Sequence, residues 1–393
     1  MSNIDLTFTT PDDGNATDAG IASIRKGEGL IPPRLLPSPG FAAWLANSGG
    51  TLGFTTYQTS RLFLLSAPEG ELRALERIVG SAMGLILREG AIWVANKEQL
   101  WRFSHVGPFK GSLGAGKEVE YKALYMPRLG HFLGPVDTHD LLEWAVYRGK
   151  QYELLFVNTN FDCIATIDRH YGFVPVWKPS WVGVLGGGDK SHLNGMCARD
   201  GKLAYATACA RSDTPMGWRK QQKDGGVVID IQADAVVGEG FSMPHSPRWH
   251  DGRLWLLDSG HGDFGYLDPA SGRFEKVALC PGFARGLCFV GKHAVIGLSK
   301  LRPSSFSTNM PLKQRLEALN VPETCGLLVV NLATGRTDHW LTIENTVTEL
   351  YDVAFMPGRD DIYTPGFSEP ELHRALHHRP LDAAGGNGIP DPL

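Results

Sequence analysis

The chain has no apolar run approaching the about 20 residues that a membrane helix requires, so no membrane partner is expected. It has no surplus of positive charge either. Thirty-eight Lys and Arg stand against 42 Asp and Glu, a formal net charge of -4, where a nucleic-acid partner asks for a basic stripe. Cysteine is scarce, and Cys163, Cys197, Cys209, Cys280, Cys288 and Cys325 lie far apart with no CxxC pair. That argues against a disulfide framework or a zinc finger, and most of the six sit in apolar runs as small buried residues do. The opening "MSNIDLTFTTPDDGNATDAG" lacks the charged-then-apolar order of a secretion signal, which points to a cytoplasmic protein. Long helical periodicity is nearly missing, apart from "PLKQRLEALN" and "EPELHRALHH".

What is present is punctuation. Forty-seven Gly and 25 Pro divide short runs rich in Val, Ile, Leu, Phe and Trp, the pattern of an all-β protein. The stretch "SPRWHDGRLWLLDSGHGDFGYLDPASGRFEKVALC" reads as four strands, a to d, and the same grammar recurs along the chain. Aligning the first strand of each unit gives pivots at Gly84, Asp140, Gly195, Pro247, Gly286 and Asp352. Their separations of about 40–65 residues lie near the period of a four-stranded propeller blade, the longer ones carrying loop insertions. "LYDVAF" is a strand a without partners downstream, and Thr51 to Gly80 reads as b, c and d without an a. The prediction is a six-bladed β-propeller over residues 41–366, closed by N-terminal strands joining the C-terminal strand, which removes exposed sheet edges. Residues 1–40 read as a flexible arm and 367–393 as a poorly ordered tail. Two separate sandwiches are the alternative, and they leave both half-units unexplained.

The two faces of such a ring differ in chemistry. The a–b turns are plain ("REG", "RDG", "HDG", "VGK"), as are the c–d turns "DPASG" and "LATG". The opposite face gathers b–c turns that hold Tyr57, Arg61, Asn158, Asn160, Asp213, Trp218, Arg219, Asp258, His261 and Lys300. Strand a starts there too, with His139, His192, His245, Arg285, Tyr351 and Asp352. Turns are satisfied by Gly, Asp, Asn and Ser, and have no need of His, Arg, Lys, Tyr and Trp.

Three imidazoles on consecutive units suit a divalent transition metal (Zn, Fe or Cu) with an open position, so His139, His192 and His245 are candidate ligands. Against this, the three are out of register. His139 precedes its pivot by one residue, His245 by two and His192 by three, so they start about 7 Å apart in depth at ~3.3 Å per residue. Without a metal they are hydrogen-bonding mouth residues. Arg285, Lys300 and Arg219 could clamp a carboxylate or phosphate, with Tyr351, Asp352 or a histidine moving a proton. Alternatively Arg285 and Lys300 form salt bridges to Asp352 or Glu349 that hold blades together. Asn158 and Asn160 bind substrate or close Asx turns. Trp218 is a stacking wall or an anchor for its own loop.

The ordered motifs "TYQTSRLFLL", "DTHDL", "VNTNFDCIATID", "HLNGM", "SDTPMGWR", "MPHSPRWHDGRLWLLDSG", "GLSKLR" and "LYDVAF" resemble a conserved hypothetical bacterial family, a domain of unknown function sometimes joined to tetratricopeptide repeats. That resemblance carries no activity. In architecture the chain is similar to gluconolactonase, virginiamycin B lyase and peptide-amidating lyase propellers, which implies a metal at the mouth. The expectation is a propeller enzyme acting on a small-molecule or peptide substrate, with no nucleotide cofactor. A non-catalytic peptide- or glycan-binding module is the alternative.

Overall fold

Hairpin turns set the pattern. In the computed structural model, which describes residues 32–113, 117–302, 310–367 and 372, the pairs Arg148-Gly149, Asp200-Gly201 and Asp251-Gly252 all have positive φ. Two successive residues of that kind form the tight turn whose twist matches a β-hairpin, and Gly takes the second place without a Cβ penalty. Each joins the first two strands of a repeat.

The opening template forms an antiparallel sheet of Pro244–His250, Arg253–Asp258, Asp263–Asp268 and Arg273–Leu279. Thr138–Tyr147, Lys150–Asn158, Cys163–Thr166 and Val174–Trp177 form another. One bridge, Val146 to Lys202, joins it to Leu193–Arg199, Lys202–Ala208, Gly226–Asp230 and Ala235–Phe241. Leu85–Leu87, Ala91–Ala95, Gln99–His105 and Ala123–Phe132 follow the same order, with Ile362–Tyr363 added in parallel. Phe283–Val290, His293–Ser299, Gly326–Asn331 and Thr337–Glu344 do likewise, with Arg34–Pro37 on the outer edge. The C-terminal strand Val353–Pro357 pairs with Gly50–Thr56, which continues to Arg61–Ser66 and Arg73–Ile78. This is a β-propeller architecture. Two of its sheets meet through side chains such as Phe54, Phe63, Leu327 and Val353, all buried, each contributing about 1.5–3 kcal/mol of burial.

The helical stretch "PLKQRLEALN" forms the helix Pro311–Leu319. "EPELHRALHH" lies outside the described residues apart from Leu372, as does nearly all of the expected tail. Of the expected arm, residues 1–31 lie outside them too, while Arg34–Pro37 pairs with Thr337–Glu344.

The first strands of the repeats pack on one another in succession: Leu85–Leu87 on Thr138–Tyr147, then Leu193–Arg199, Pro244–His250, Phe283–Val290 and Val353–Pro357, which returns to Leu85–Leu87. Each of the four middle strands carries a register shift near its start, between Thr138 and Leu141, Leu193 and Gly195, His245 and Arg248, and Ala284 and Leu287. Each is the two-against-one count of a β-bulge, which re-aims the side chains around it.

Arg248 sits at the centre of this arrangement. Its guanidinium forks onto Asp140 at 2.8 and 3.1 Å, lies 3.8 Å from Asp352, and donates to the carbonyls of Leu287 and Met196. Asp140 and Asp352 are used alike. Each accepts the N–H of the residue that follows it and the N–H of the next inner strand, from Met196 and Leu85 respectively. One cation and two carboxylates therefore stitch together strands from all of the sheets just described, and all three side chains are largely buried.

Candidate functional site

Above this ion cluster, strand pairing fixes which side chains share a level. Thr138 faces Asn158 and Pro244 faces Asp258, each the last residue of its second strand. His139 and His245 are therefore equivalent positions, and the depth offset expected between them is absent. The repeat alignment sets Asp140 against Pro247, whereas the pairing sets it against Ser246, one residue earlier. Val353 opposite Phe54 places Tyr351 at the same level.

The two equivalent histidines are held alike. Nδ1 of His139 lies 2.9 Å from the Asp137 carbonyl and 2.7 Å from Thr159 Oγ1. Nδ1 of His245 lies 2.8 Å from the Met243 carbonyl and 3.1 Å from Ser259 Oγ. Thr159 donates its hydroxyl proton to the Leu193 carbonyl and Ser259 donates its own to the Ala284 carbonyl, so both oxygens can only accept from the rings. Both Nδ1 atoms thus carry the proton, and both Nε2 atoms present a lone pair. His192 is held differently, its Nδ1 lying 2.9 Å from both carboxylate oxygens of Asp189. Asp189 also accepts from Trp218 Nε1 at 2.8 Å, and the indole stacks on the His192 ring at 4.2 Å.

These groups adjoin. Ring centroids of His139 and His192 are 4.8 Å apart, and those of His139 and Tyr351 are 5.1 Å apart. The Arg285 guanidinium carbon lies 5.2 Å from the centroids of both Tyr351 and Phe283, and Phe283 is 5.5 Å from His245. Burial, reinforced by His192 and Arg285, pushes the His139 imidazole well below its ordinary range; burial and Arg285 do the same to His245. Both rings are neutral at pH 7. Burial also raises the Tyr351 phenol well above its usual range and lowers the Arg285 guanidinium. Several polar atoms here are buried without a partner among the described residues: His245 Nε2, Arg285 Nε, Tyr351 Oη and Asn158 Nδ2. Buried polar atoms left in that state call for a ligand, an ion or water. Among the described residues, no three His, Cys, Asp or Glu side chains are grouped closely enough to hold a metal ion.

The other expected site residues are placed as follows. Tyr57 lies beside Tyr351 at 5.9 Å. Asn158 Oδ1 closes a turn onto the Phe161 N–H, and Asn160 ties its loop to Pro135 and Gly188. Asp213 pairs with Lys190 at 2.6 Å, Arg61 pairs with Glu76, and Arg219 lies exposed over Trp218. Asp258 accepts the Ser242 N–H and the His261 ring, and those two residues line a separate surface depression with Lys276. Lys300 is exposed, and Arg302 forks onto Glu349 with both bonds at 2.6 Å. Asp352 belongs to the Arg248 cluster beneath the mouth. The sequence reading missed Asp189, Thr159, Ser259, Phe283 and Arg248. A Ser or Thr opening the b–c turn ("NTNFD", "DSGHGD") two strands from a histidine was the available signal for two of them.

Fold and mouth together define a β-propeller with a polar rim of neutral imidazoles, a guanidinium and a phenol. The chain belongs to the family described as a domain of unknown function, DUF4915, which matches residues 39–363. No curated protein matches it. Among solved structures it is similar to the crystal structure of a nidogen/laminin complex, at 13% identity and a TM-score of 0.49, covering 79% of this chain and 100% of that one. It is also similar to the crystal structure of the computationally designed Ika8 protein, at 9% identity and a TM-score of 0.37, covering 78% and 90%. Among the described residues no helix is long and apolar enough to cross a membrane.

Proposed function

We propose that the chain closes as a six-bladed ring and that its mouth is the active site of an enzyme acting on a small polar or peptide-like substrate. The observation that carries this reading is the tethering of all three histidines through Nδ1, which leaves each Nε2 free toward the mouth. Imidazoles held from behind in this way are pre-oriented as bases or as metal ligands, since the partner fixes both tautomer and ring direction. For His139, His192 and His245 to hold a divalent transition metal the three rings would have to draw closer than they stand here; such a metal would supply Lewis acidity or an activated water. Tyr351, whose hydroxyl is protonated and unpartnered, is placed to donate a proton to the substrate. Asn158 offers an unused amide N–H pair to a substrate oxygen.

Elemental analysis of protein purified without added metal tests this reading. The expected result is a stoichiometric transition metal that survives gel filtration and falls at least tenfold in His192→Ala and His245→Ala. A non-catalytic peptide- or glycan-binding module is the second reading, favoured by the absence of a ready-grouped donor set among the described residues. Metal-free protein whose ligand affinity depends on Trp218 would decide for it.

A further inference from the structure

Arg285 is a mouth cation whose charge has no partner among the described residues. Arg302 is neutralised by the Glu349 fork, Arg248 by Asp140 and Asp352, and Lys190 by Asp213. Arg285 has neither a hydrogen bond nor an ion pair to any described residue. Its guanidinium touches the rings of Phe283 and Tyr351, and its Nε is buried without an acceptor. The nearest carboxylates are committed: Glu349 to Arg302, Asp352 to Arg248, and Asp189 to His192 and Trp218. Asp137 is also on the rim, close enough to act on Tyr351, but its carbonyl, rather than its carboxylate, meets His139. Two aromatic contacts offset part of the cost of burying such a cation. They accept none of its N–H bonds, and a buried N–H such as Nε, left without an acceptor, is kept at a cost to the fold.

We infer that the ligand of this mouth carries an oxyanion, a carboxylate or a phosphate, and that Arg285 binds it. The inference rests on the reading of the mouth as a binding site and names the chemical class it takes. A guanidinium presents parallel N–H bonds to two oxygens of one group, so the anion is fixed in orientation as well as place. The His245 Nε2 lone pair and the Tyr351 hydroxyl then face the uncharged remainder of the ligand. Lys300 and Arg219, the other cations expected in such a clamp, are exposed and stand apart from this cluster.

Thermal unfolding of the full chain in a zwitterionic buffer tests the inference, with acetate, oxalate and inorganic phosphate as separate probes. An anion that binds only the folded state raises Tm with its concentration. The expected result is a dose-dependent rise with at least one probe, the tighter class identifying carboxylate or phosphate as the group recognised. Arg285→Gln should weaken that response at least tenfold, and Arg285→Lys should keep part of it. Without anion, Arg285→Gln should unfold no earlier than the wild type, because it removes a cation whose buried Nε has no acceptor. The same rise should persist in EDTA-treated protein, which separates this inference from the metal reading. No response to any probe, a response unchanged in Arg285→Gln, or a response lost on chelation would overturn it.

Discussion

Replacing Arg248 by Met is expected to destabilise the fold by about 3–5 kcal/mol, because breaking a buried ion pair by removing one partner leaves the other charge uncompensated. Here two carboxylates are left. Asp140 and Asp352 face the same guanidinium from different strands, and among the described residues neither pairs with another cation. The loss should depend on pH. Burial raises the Asp352 carboxyl, to about 7, against the pull of Arg248 and with a push from Asp140. A carboxyl raised on folding contributes stability that is fully present below its unfolded value near 3.9 and is lost as pH rises through the folded value. Taking Arg248 away raises it further, so the penalty of Arg248→Met should shrink between pH 8 and pH 5.5. Comparing variant with wild type at each pH cancels the opposite tendency of the buried histidines, which must charge as pH falls. Urea unfolding at the two pH values, with an unchanged m-value, is the measurement. A penalty below about 1 kcal/mol at pH 8, the size of an exposed pair, would show that the cluster is solvated.

The second large effect is expected at Gly286. Its φ is +77°, and a Cβ placed there would lie 2.5 Å from the Val353 nitrogen and 2.7 Å from the Asp352 carbonyl carbon. The left-handed backbone alone costs a non-glycine residue about 1–2 kcal/mol, and overpacking typically adds about 1–3 kcal/mol. The obstacle is backbone of the neighbouring inner strand, which cannot rotate away as a side chain would. Gly286→Ala should therefore lose about 2–5 kcal/mol by the same urea assay. Gly252→Ala is the control. It too has positive φ, but a Cβ there meets nothing within 4 Å, so only the conformational cost remains. Equal losses at both positions would contradict the close approach of the two inner strands.

Much of this was legible in the sequence. The turns with Gly second and the short apolar runs between them gave the strands, and the strand without partners at "LYDVAF" pointed to Gly50–Thr56, with which it pairs. The concentration of His, Arg and Tyr at one set of strand starts anticipated the adjacency of His139, His192, Arg285 and Tyr351. Depth along the strands was not legible. Composition alone does not fix register, so matching Pro247 to Asp140 looked as good as the true match to Ser246. Arg248 was hidden for a related reason. In "SPRWHDG" it reads as an ordinary residue on an inner strand, and only coordinates bring it to two carboxylates 108 and 104 positions away in the chain. The expected interlocking salt bridges exist, but Arg248 and Arg302 make them, while Arg285 stays free of any.

The imidazole nitrogens report on the mouth most directly. In a ¹⁵N-labelled sample, long-range correlation spectra distinguish a protonated from a bare ring nitrogen for each histidine. His139 and His245 are expected as neutral rings with the proton on Nδ1 and an unprotonated Nε2 at pH 8, and still so at pH 6.5, where an ordinary imidazole is about half charged. Their Nε2 signals should also be displaced when ligand or metal is added. Protonation of either ring near pH 6.5, or a proton on Nε2 in the neutral form, would contradict this account.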